Sequence, residues 1–281
     1  MTADEDRGAP SDPLASSTAT ARLDAELVRR GLVRSRALAV TAIEEGRVRV
    51  AGRVVAKPAT KVAPDAELAV DGEGRYVSRS ALKLVGALDA FGVEVSGRLA
   101  LDVGASTGGF TQVLLERGAR EVIALDVGHG QLADVVRSDP RVRVIEGVNA
   151  RSLDAAGLAA ASGTSERPEL VVADLSFISL ATVLPALVAT VGLGADYVLL
   201  VKPQFEVGRQ GVREGIVRDK ALRQDAVSAV VWAAWDAGLA TEGIFPSPVL
   251  GGNGNQEYLL WARAAVGSDP PEWEGVIGAL P

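Results

Sequence analysis

Apolar and polar positions alternate along residues 79–263 in a manner that predicts strands and helices in turn. Short apolar runs such as LALDV and VVADL are typical of buried strands in a covered parallel sheet. Amphipathic segments separate them, and the first of these spans residues 79–91. Because parallel strands need crossover connections, the alternation favours a sheet with helices on both faces. The pattern therefore predicts a doubly wound α/β domain.

Seven strands are predicted in this domain, which gives a mostly parallel sheet. In chain order they are RLALDV, EVIALDV, RVRVIEG, ELVVADL, DYVLLVK, TEGIFPSPV and EYLLWAR. The helices that connect the first six strands are predicted at residues 109–117, 131–138, 153–161, 181–191 and about 219–238. The last two strands adjoin without a helix between them, so the final strand should run antiparallel.

A smaller α+β module is predicted over residues 21–71. Its first helix has an apolar face formed by Leu23, Leu27 and Val28. That helix should end at Gly31, and Ser35 can cap a second helix that ends at Gly46. The second helix turns inward Ala39, Val40 and Ile43. The runs RVRVAGRVV and AELAV then predict a small sheet, with arginines on the exposed faces.

Composition sets the boundaries around these two domains. Residues 1–20 are rich in Asp, Ser, Thr, Ala and Pro without periodicity and are expected to form a disordered tail. Residues 72–78 are predicted as a linker and residues 79–265 as the α/β domain. Residues 266–281 are predicted as a C-terminal tail.

The overall composition is that of a globular protein, with 48% hydrophobic and 23% charged residues among 281. Cysteine is absent, which excludes disulfides, thiolate zinc sites and cysteine nucleophiles and fits a reducing compartment. No apolar run approaches the roughly 20 residues of a membrane span, and the N-terminus lacks the pattern of a signal peptide. We therefore expect a cytoplasmic monomer with no metal site and no membrane contact.

Charge is unevenly distributed along the chain. The net charge is −7, but residues 21–77 carry an excess of three positive charges. A local excess of this kind attracts nucleic acid whatever the total charge. A small solvated domain of no special charge explains the same distribution equally well.

The segment LALDVGASTGGF, residues 99–110, joins a predicted strand to a predicted helix through glycines. Its spacing, GxxxGG, differs from the GxGxxG of dinucleotide sites and is typical of S-adenosylmethionine sites. Asp126 ends the next strand and can accept hydrogen bonds from ribose hydroxyls, and Asn149 could lie beside the adenine. The alternative is a tight turn with ordinary packing glycines. The candidate cofactor-binding residues are Asp102, Gly104, Ser106, Gly108, Phe110, Asp126, Asn149 and Asp174.

Four charged residues are expected at one edge of the sheet. The carboxyl ends of parallel strands share an edge with the ligand crevice, so Asp174 and Lys202 should converge there. The antiparallel last strand begins at that edge with Glu257, and Lys83 on the preceding helix can reach it. Taken singly, Lys83 and Glu257 are more simply solvated surface residues, and Asp174 could cap a turn. Lys202 follows the apolar run YVLLV, so a simple surface role explains it poorly.

Two lysines and two acids suit methyl transfer to a ribose 2′-hydroxyl, which is a poor nucleophile until a base removes its proton. A buried lysine beside another cation loses its proton more easily than a solvated one. Lys202 is the candidate base, Asp174 would orient it, and Lys83 and Glu257 would fix the ribose and balance charge. Other methylations fit less well. Pyrimidine C5 methylation needs a cysteine, and ADLSFIS lacks the Asn/Asp-Pro-Pro-aromatic element usual in exocyclic amine methylation.

Several longer motifs occur in order between about residue 21 and residue 263. They are RLDAELVRRGLVRSR, KPAT, YVSRSALKL, DVGASTGGFT, DVGHGQL, ADLSFISLATVLPAL, VKPQFEVG and GNQEYLLWAR. In these motifs the chain resembles the TlyA family of ribosomal RNA 2′-O-methyltransferases. The resemblance implies an S4-type RNA-binding domain joined to an FtsJ/RrmJ-like, Rossmann-like methyltransferase domain that uses S-adenosylmethionine. It also implies a catalytic tetrad at Lys83, Asp174, Lys202 and Glu257.

The resemblance further implies a substrate and its contacts. Family substrates are cytidines of 16S and 23S RNA at the ribosomal subunit interface, so ribosomal subunits are the implied partner. The positions that would bind RNA fall on Arg22, Arg34, Arg36, Lys57 and, in the interdomain linker, Arg75. Two departures stand out, since the N-terminus is acidic where longer members tend to be basic, and His129 replaces a usual tyrosine.

Two other functions stay open beside this one. The first is a membrane-damaging hemolysin, a name often attached to the family, although the sequence contains no basic amphipathic helix suited to a membrane interface. The second is a ribosome-binding S4 protein without catalysis, although all four tetrad residues are present.

Overall fold

The computed structural model of the protein describes residues 20–33, 36–44, 46–70, 76–208, 211–264 and 269–281. The chain divides into two units, Met1–Arg75 and Tyr76–Pro281, each with its own hydrophobic core. Most of the predicted tail, the predicted linker up to Arg75 and the predicted capping residue Ser35 lie outside the described residues.

The first unit contains two short helices and two small antiparallel sheets. The helices are α1 (Leu23–Arg29) and α2 (Arg36–Glu44). The strands are β1 (Ala21–Arg22), β2 (Val48–Val50), β3 (Arg53–Val54), β4 (Lys61–Val62) and β5 (Leu68–Val70). β1 pairs with β4, and β2 lies between β3 and β5. The core of this unit is formed by Leu23, Leu27, Val33, Ala39, Ala42, Ile43, Val48 and Val62.

Both helix ends predicted in this unit are confirmed. Gly31 has a φ of +69°, and its amide donates to the carbonyl oxygen of Val28 at 3.0 Å. The next amide, of Leu32, donates to Leu27 at 2.9 Å, which completes a glycine-terminated helix end. Gly46, with a φ of +70°, ends α2 through the same pattern of hydrogen bonds.

The second unit is built on a seven-stranded sheet. Its strands are β6 (Leu99–Val103), β7 (Glu121–Asp126), β8 (Val142–Glu146), β9 (Leu170–Ala173), β10 (Asp196–Val201), β11 (Leu239–Pro246) and β12 (Tyr258–Ala264). They lie in the order β11-β12-β10-β9-β6-β7-β8. β12 runs antiparallel to both neighbours, while the other pairs are parallel. The predicted α/β fold with an antiparallel last strand is confirmed.

Helices cover both faces of this sheet. They are α3 (Ser80–Phe91), α4 (Gly109–Glu116), α5 (Asp134–Arg137), α6 (Ala155–Ser162), α7 (Leu180–Val191), α8 (Pro203–Glu206), α9 (Lys220–Asp236) and α10 (Glu274–Ala279). Successive residues of β6 point to opposite faces, so Leu99 and Leu101 pack in one core with α7 and α9, and Ala100 packs in another with α3 and α4. Because every residue of β6 is buried, its apolar run is explained by burial on both faces.

Several helix boundaries differ from the sequence prediction. α6 begins at Ala155 because the side chain of Asp154 accepts a hydrogen bond from the amide of Gly157 and caps the helix. α5 is four residues long, and the sequence pattern did not predict α8. Residues 269–281, which the sequence assigns to a tail, form a 3-10 turn and α10, with Ile277 buried in the main core. Among the described residues no helix is long and apolar enough to cross a membrane.

Candidate active site

The glycine loop between β6 and α4 lies at the centre of the site. Gly104 has a φ of +85°, and a Cβ atom on it would lie 2.8 Å from the backbone oxygen of Asp174. Glycine suits this position because it tolerates a left-handed backbone and leaves room for the neighbouring strand end. The amide of Gly104 donates to the carbonyl oxygen of Leu125 at 2.8 Å. The loop therefore brings the ends of β6, β7 and β9 together.

A cleft of about 520 Å³ opens beside this loop, and we call it the larger cleft. Its lining combines apolar side chains, among them Leu125 and Ile178, with the polar side chains of Asp126 and Asn149. The two carboxylate oxygens of Asp126 accept hydrogen bonds from the amides of Ser106 at 2.8 Å and Gly128 at 2.7 Å. A carboxylate offers about four acceptor positions, so Asp126 keeps capacity for two further donors.

A smaller cavity of about 130 Å³ adjoins the larger cleft. Both are lined by Gly104, Ser106, Asp174 and Ser176. The smaller cavity additionally reaches Lys202 and, at the start of α3, Ser80. A ligand in the larger cleft and a second group in the smaller cavity would therefore meet beside Asp174.

Lys202 and Asp174 form one ion pair at this edge of the sheet. Lys202 directly follows β10 and is 8% exposed, so its amine does not escape to solvent. Its Nζ lies 2.6 Å from Oδ1 of Asp174, although this oxygen receives no aligned hydrogen bond. The aligned hydrogen bond of the amine is donated to Oγ of Ser176 at 2.8 Å. Lys202 thus interacts with Asp174 by charge attraction and with Ser176 through an aligned hydrogen bond.

Lys83 and Glu257 form a second ion pair beside the first. The Nζ of Lys83 donates to Oε2 of Glu257 at 2.5 Å, and the two residues are 8% and 1% exposed. Val201 pairs with Tyr258 in the sheet, so Lys202 and Glu257 are the residues just beyond that pair. Gln204 donates to the other oxygen of Glu257 at 3.5 Å. Two amines and two carboxylates are thus held near one another in a poorly solvated part of the sheet edge.

A backbone position without a side chain makes room for Glu257. A Cβ atom on Gly251 would lie 1.9 Å from Oε1 of Glu257. The same loop is fixed by the buried side chain of Asn255, whose amide nitrogen donates to the backbone oxygens of Gly215 and Gly252. Its side-chain oxygen accepts from the amide of Val217 at 3.1 Å. The loop before β12 therefore leaves space for the carboxylate of Glu257 at Gly251 and is held in that conformation by Asn255.

Asp102 is fully buried behind the glycine loop. Its Oδ2 accepts a hydrogen bond from the hydroxyl of Thr111 at 2.6 Å, and its Oδ1 accepts none from the part of the chain that the structure describes. Burial raises the pKa of the Asp102 carboxyl to about 7; the hydrogen bond from Thr111 opposes the rise, and the charges of Asp174 and Asp126 add to it. The carboxyl therefore changes its protonation near neutral pH.

The candidate cofactor residues fall into three groups in the structure. Five of them line the larger cleft: Gly104, Ser106, Asp126, Asn149 and Asp174. Phe110 is buried in the core and borders only the smaller cavity. Asp102 and Gly108 line neither, because Asp102 is buried and Gly108 serves the turn that starts α4, with a φ of +94°.

Four further residues shape the site and were missed from the sequence. They are Ser176, Phe177, Gln204 and Glu206. Phe177 is 91% exposed at a φ of +65°, an uncommon conformation for a bulky residue, and its ring lies 5.3 Å from that of Phe205. The sequence could have indicated all four, because they follow Asp174 and Lys202 within the segments ADLSFIS and VKPQFE.

In the first unit, Arg22 and Arg36 are both anchored by one buried acid. Arg22 makes two hydrogen bonds to the carboxylate of Asp24, and Arg36 makes one at 3.1 Å. The hydrogen bond from Arg22 is the main cause that lowers the pKa of Asp24 to about 2. Lys57 is exposed on the turn before β4. The other RNA-binding candidates, Arg34 and Arg75, lie outside the described residues.

Comparison with known protein families matches both parts of the chain. Residues 76–264 match the FtsJ-like methyltransferase family, and residues 21–68 match the S4 domain. A solved structure from Streptococcus thermophilus superposes with a TM-score of 0.71 and 36% identity, and the match covers 93% of this chain and 96% of that one.

Named relatives align along most of the chain. The 16S/23S rRNA (cytidine-2'-O)-methyltransferase TlyA of Mycobacterium tuberculosis is 54% identical over 86% of this chain and 90% of that protein. Hemolysin A of Brachyspira hyodysenteriae is 38% identical over 85% of this chain and 98% of that protein. The 23S rRNA (cytidine-2'-O)-methyltransferase TlyA of Campylobacter jejuni is 36% identical over 66% and 70%. With an S4 domain followed by an FtsJ-like methyltransferase domain, the chain belongs to the TlyA family.

Proposed function

We propose that this protein transfers a methyl group from S-adenosylmethionine to the 2′-hydroxyl of a cytidine ribose in ribosomal RNA. Family membership supplies the class of reaction, and the relatives from Mycobacterium tuberculosis and Campylobacter jejuni are named for this acceptor. Because the proposed substrate is ribosomal RNA, we propose that the reaction takes place in the cytoplasm. The observation that carries the proposal is the contact of buried Lys202 with Asp174, which lines a cleft of cofactor size. The buried Lys83–Glu257 pair follows next to Lys202 in the sheet and lines neither cavity.

The residues of the larger cleft fit the proposed cofactor. Its volume of about 520 Å³ lies in the range of small-molecule sites. The free acceptor positions of Asp126 suit ribose hydroxyls, and Asn149 offers its amide nitrogen, since its side-chain oxygen already accepts from Arg151. Gly104 lets this loop lie against the end of β9, because a Cβ atom there would lie 2.8 Å from the backbone oxygen of Asp174. When bound, S-adenosylmethionine supplies an electrophilic methyl group on a positively charged sulfur.

Lys202 is the proposed general base. Its amine borders the smaller cavity, and so does Asp174, which also lines the larger cleft. As the neutral amine, Lys202 would accept the proton of the 2′-hydroxyl and so raise the nucleophilicity of that oxygen. Asp174 would stabilise the ammonium that results. Most of the acceleration should come from alignment of the two reacting groups.

Lys83 and Glu257 would hold the acceptor ribose and keep the site close to neutral. Each carries a charge that the other compensates at 2.5 Å, so neither needs a counter-ion from solvent. Glu257 also accepts from Gln204, two residues after Lys202, which connects the two ion pairs. A substitution of Glu257 should therefore alter the position of Lys202 in two ways. It would remove the contact with Gln204 in α8, and it would remove the proposed contact with the acceptor ribose.

RNA contacts are proposed in both units. In the first, Asp24 holds two arginines in place, so less side-chain freedom is lost when they meet phosphates. In the second, the exposed ring of Phe177 lines the larger cleft beside Ser176. Proteins that act on single bases commonly stack an unstacked base on an aromatic side chain. Phe177 is our candidate for that contact.

The proposal is tested with tritiated S-adenosylmethionine and ribosomal subunits that lack the modification. Lys202→Ala should abolish labelling of RNA, while calorimetry should show that cofactor binding survives. Lys220→Ala, at an exposed lysine at the start of α9, is the matched control and should label as wild type does. Undiminished turnover in Lys202→Ala would refute Lys202 as the base.

A second measurement identifies the acceptor. Mapping 2′-O-methyl sites in 16S and 23S RNA, with and without this protein, should reveal a cytidine that is methylated only in its presence. Absence of any such site, together with leakage of dye from liposomes, would favour the membrane activity for which the relative from Brachyspira hyodysenteriae is named.

A further inference from the structure

Among the described residues, the amine of Lys202 donates one side-chain hydrogen bond, and its acceptor is Ser176. Nζ donates to Oγ of Ser176 at 2.8 Å, whereas the 2.6 Å contact with Asp174 lacks hydrogen-bond alignment. A charge contact holds an amine close but leaves its rotation about the Cε–Nζ bond nearly free, because an ammonium is a compact charge. The hydrogen bond to Ser176 therefore sets that rotation.

In a neutral lysine, the hydrogen bond to Ser176 limits the directions in which the electron pair of Nζ can point. A neutral lysine has two N–H bonds and one electron pair on Nζ. With one N–H directed at Ser176, rotation about the Cε–Nζ bond is fixed, so the second N–H and the electron pair occupy the two remaining tetrahedral directions. We take the electron pair to lie on the side of the smaller cavity. Because Lys202 borders the smaller cavity together with both partners, that direction is available to a group bound there.

The loop that carries the exposed Ser176 is fixed at both of its ends. The loop that carries it starts at Asp174, whose amide donates to the carbonyl oxygen of Val103 at 3.0 Å. The loop ends at α7, where the carboxylate of Glu206 accepts from the hydroxyl of Ser179 at 2.6 Å and from the amide of Leu180 at 2.8 Å. Both ends of the loop are thus fixed to neighbouring elements.

From these contacts we infer that Ser176 is a positioning residue that aims the electron pair of Lys202 at the acceptor hydroxyl. The inference rests on the proposed function and adds a residue to it. The hydroxyl proton would pass to the electron pair of Nζ, which becomes the ammonium, and the oxygen would use the electrons it keeps to bond the methyl carbon. The methyl–sulfur bond would break at the same time, with its electron pair staying on the sulfur of the departing thioether. The ammonium returns its proton to water after the methylated RNA has left.

The test compares single-turnover rates of full-length variants at saturating S-adenosylmethionine and RNA. Ser176→Ala should lower the rate roughly ten- to a hundredfold, as expected for a misaligned catalytic group. The rate should fall much more than the Kd for cofactor or the KM for RNA changes, because the hydrogen bond that is lost is the one that Ser176 accepts from Lys202. Ser176→Thr keeps the hydroxyl and should recover most of the rate.

Ser138→Ala is the control, because it removes an exposed hydroxyl that donates to the backbone oxygen of Asp134 and borders neither the larger cleft nor the smaller cavity. It should retain much more activity than Ser176→Ala. Equal losses in these two variants, or no recovery in Ser176→Thr, would overturn the assignment. A wild-type rate in Ser176→Ala beside an inactive Lys202→Ala would overturn this inference and leave the proposed function intact. A wild-type protein that methylates no RNA would refute both.

Discussion

Replacement of Asp102 by asparagine should make the second unit less sensitive to pH. Asp102 is fully buried, and its pKa is raised from 3.8 to about 7, chiefly by burial. The folded state therefore binds a proton that the unfolded state releases above pH 4. Stability from this group is complete below that pH and is lost as the pH rises through 7. Asparagine is neutral throughout, has nearly the same shape, and keeps an amide oxygen that can accept the hydrogen bond from Thr111.

The size of the effect follows from the shift. One pKa unit corresponds to about 1.4 kcal/mol, so a rise of roughly three units is worth about 4 kcal/mol over the whole pH range. Between pH 5 and pH 8 the linkage relation assigns about 3 kcal/mol of that change to Asp102. Between pH 5 and pH 8, the free energy of unfolding of Asp102→Asn should therefore rise by about 3 kcal/mol relative to that of wild type.

Urea unfolding followed by tryptophan fluorescence measures this difference in the right part of the molecule. All four tryptophans belong to the unit Tyr76–Pro281. Wild type and variant are unfolded at unit steps of pH without added cofactor. At each pH the free energy of unfolding of wild type is subtracted from that of the variant, and this difference is followed as the pH rises. Asp225→Asn, at an exposed position on α9, controls for loss of a surface carboxylate. Parallel pH profiles for wild type and Asp102→Asn would refute the reasoning.

Three further predictions concern the loop, the buried ion pair and the exposed ring. Gly104→Ala should weaken cofactor binding at least tenfold by calorimetry, because its Cβ atom would lie 2.8 Å from the backbone oxygen of Asp174 at a left-handed φ. Lys83→Met should lower the free energy of unfolding by about 3–5 kcal/mol in urea, because it leaves the carboxylate of Glu257 buried without its partner. Phe177→Ala should raise the KM for RNA roughly tenfold or more, as loss of a base-stacking contact does, and should change the Kd for cofactor much less.

Each of these changes has its own control. Gly157→Ala, inside α6 with no contact shorter than 3.4 Å, should bind cofactor as wild type does. Adding Glu257→Leu to Lys83→Met should recover stability, because the unpaired charge is then removed as well. If the double variant is as unstable as the single one, the ion pair is not the cause. An unchanged KM for RNA in Phe177→Ala would exclude the stacking contact.

The alternation of apolar runs and amphipathic segments was sufficient to predict the fold of the second unit. Its strands are buried on both faces, so their apolar runs were readable without knowledge of their neighbours. The same rule predicted that Asp174 and Lys202 lie at one edge, because parallel strands end on the same side. Glycines at 31 and 46 marked helix ends in the first unit for an equally local reason.

Which side chains pair within the site was decided only by the tertiary structure. Lys83 and Glu257 lie 174 positions apart in the chain, and their contact depends on how α3 packs against the start of β12. The burial of Asp102, the turn of Lys202 toward Ser176 and the closeness of Gly104 to Asp174 likewise arise where separate segments meet. Local periodicity predicts which face of an element is apolar, but it does not predict the distances between side chains at the edge of a packed sheet. The sequence therefore determined the sheet and the residues at its edge, and packing determined which amine faces which oxygen.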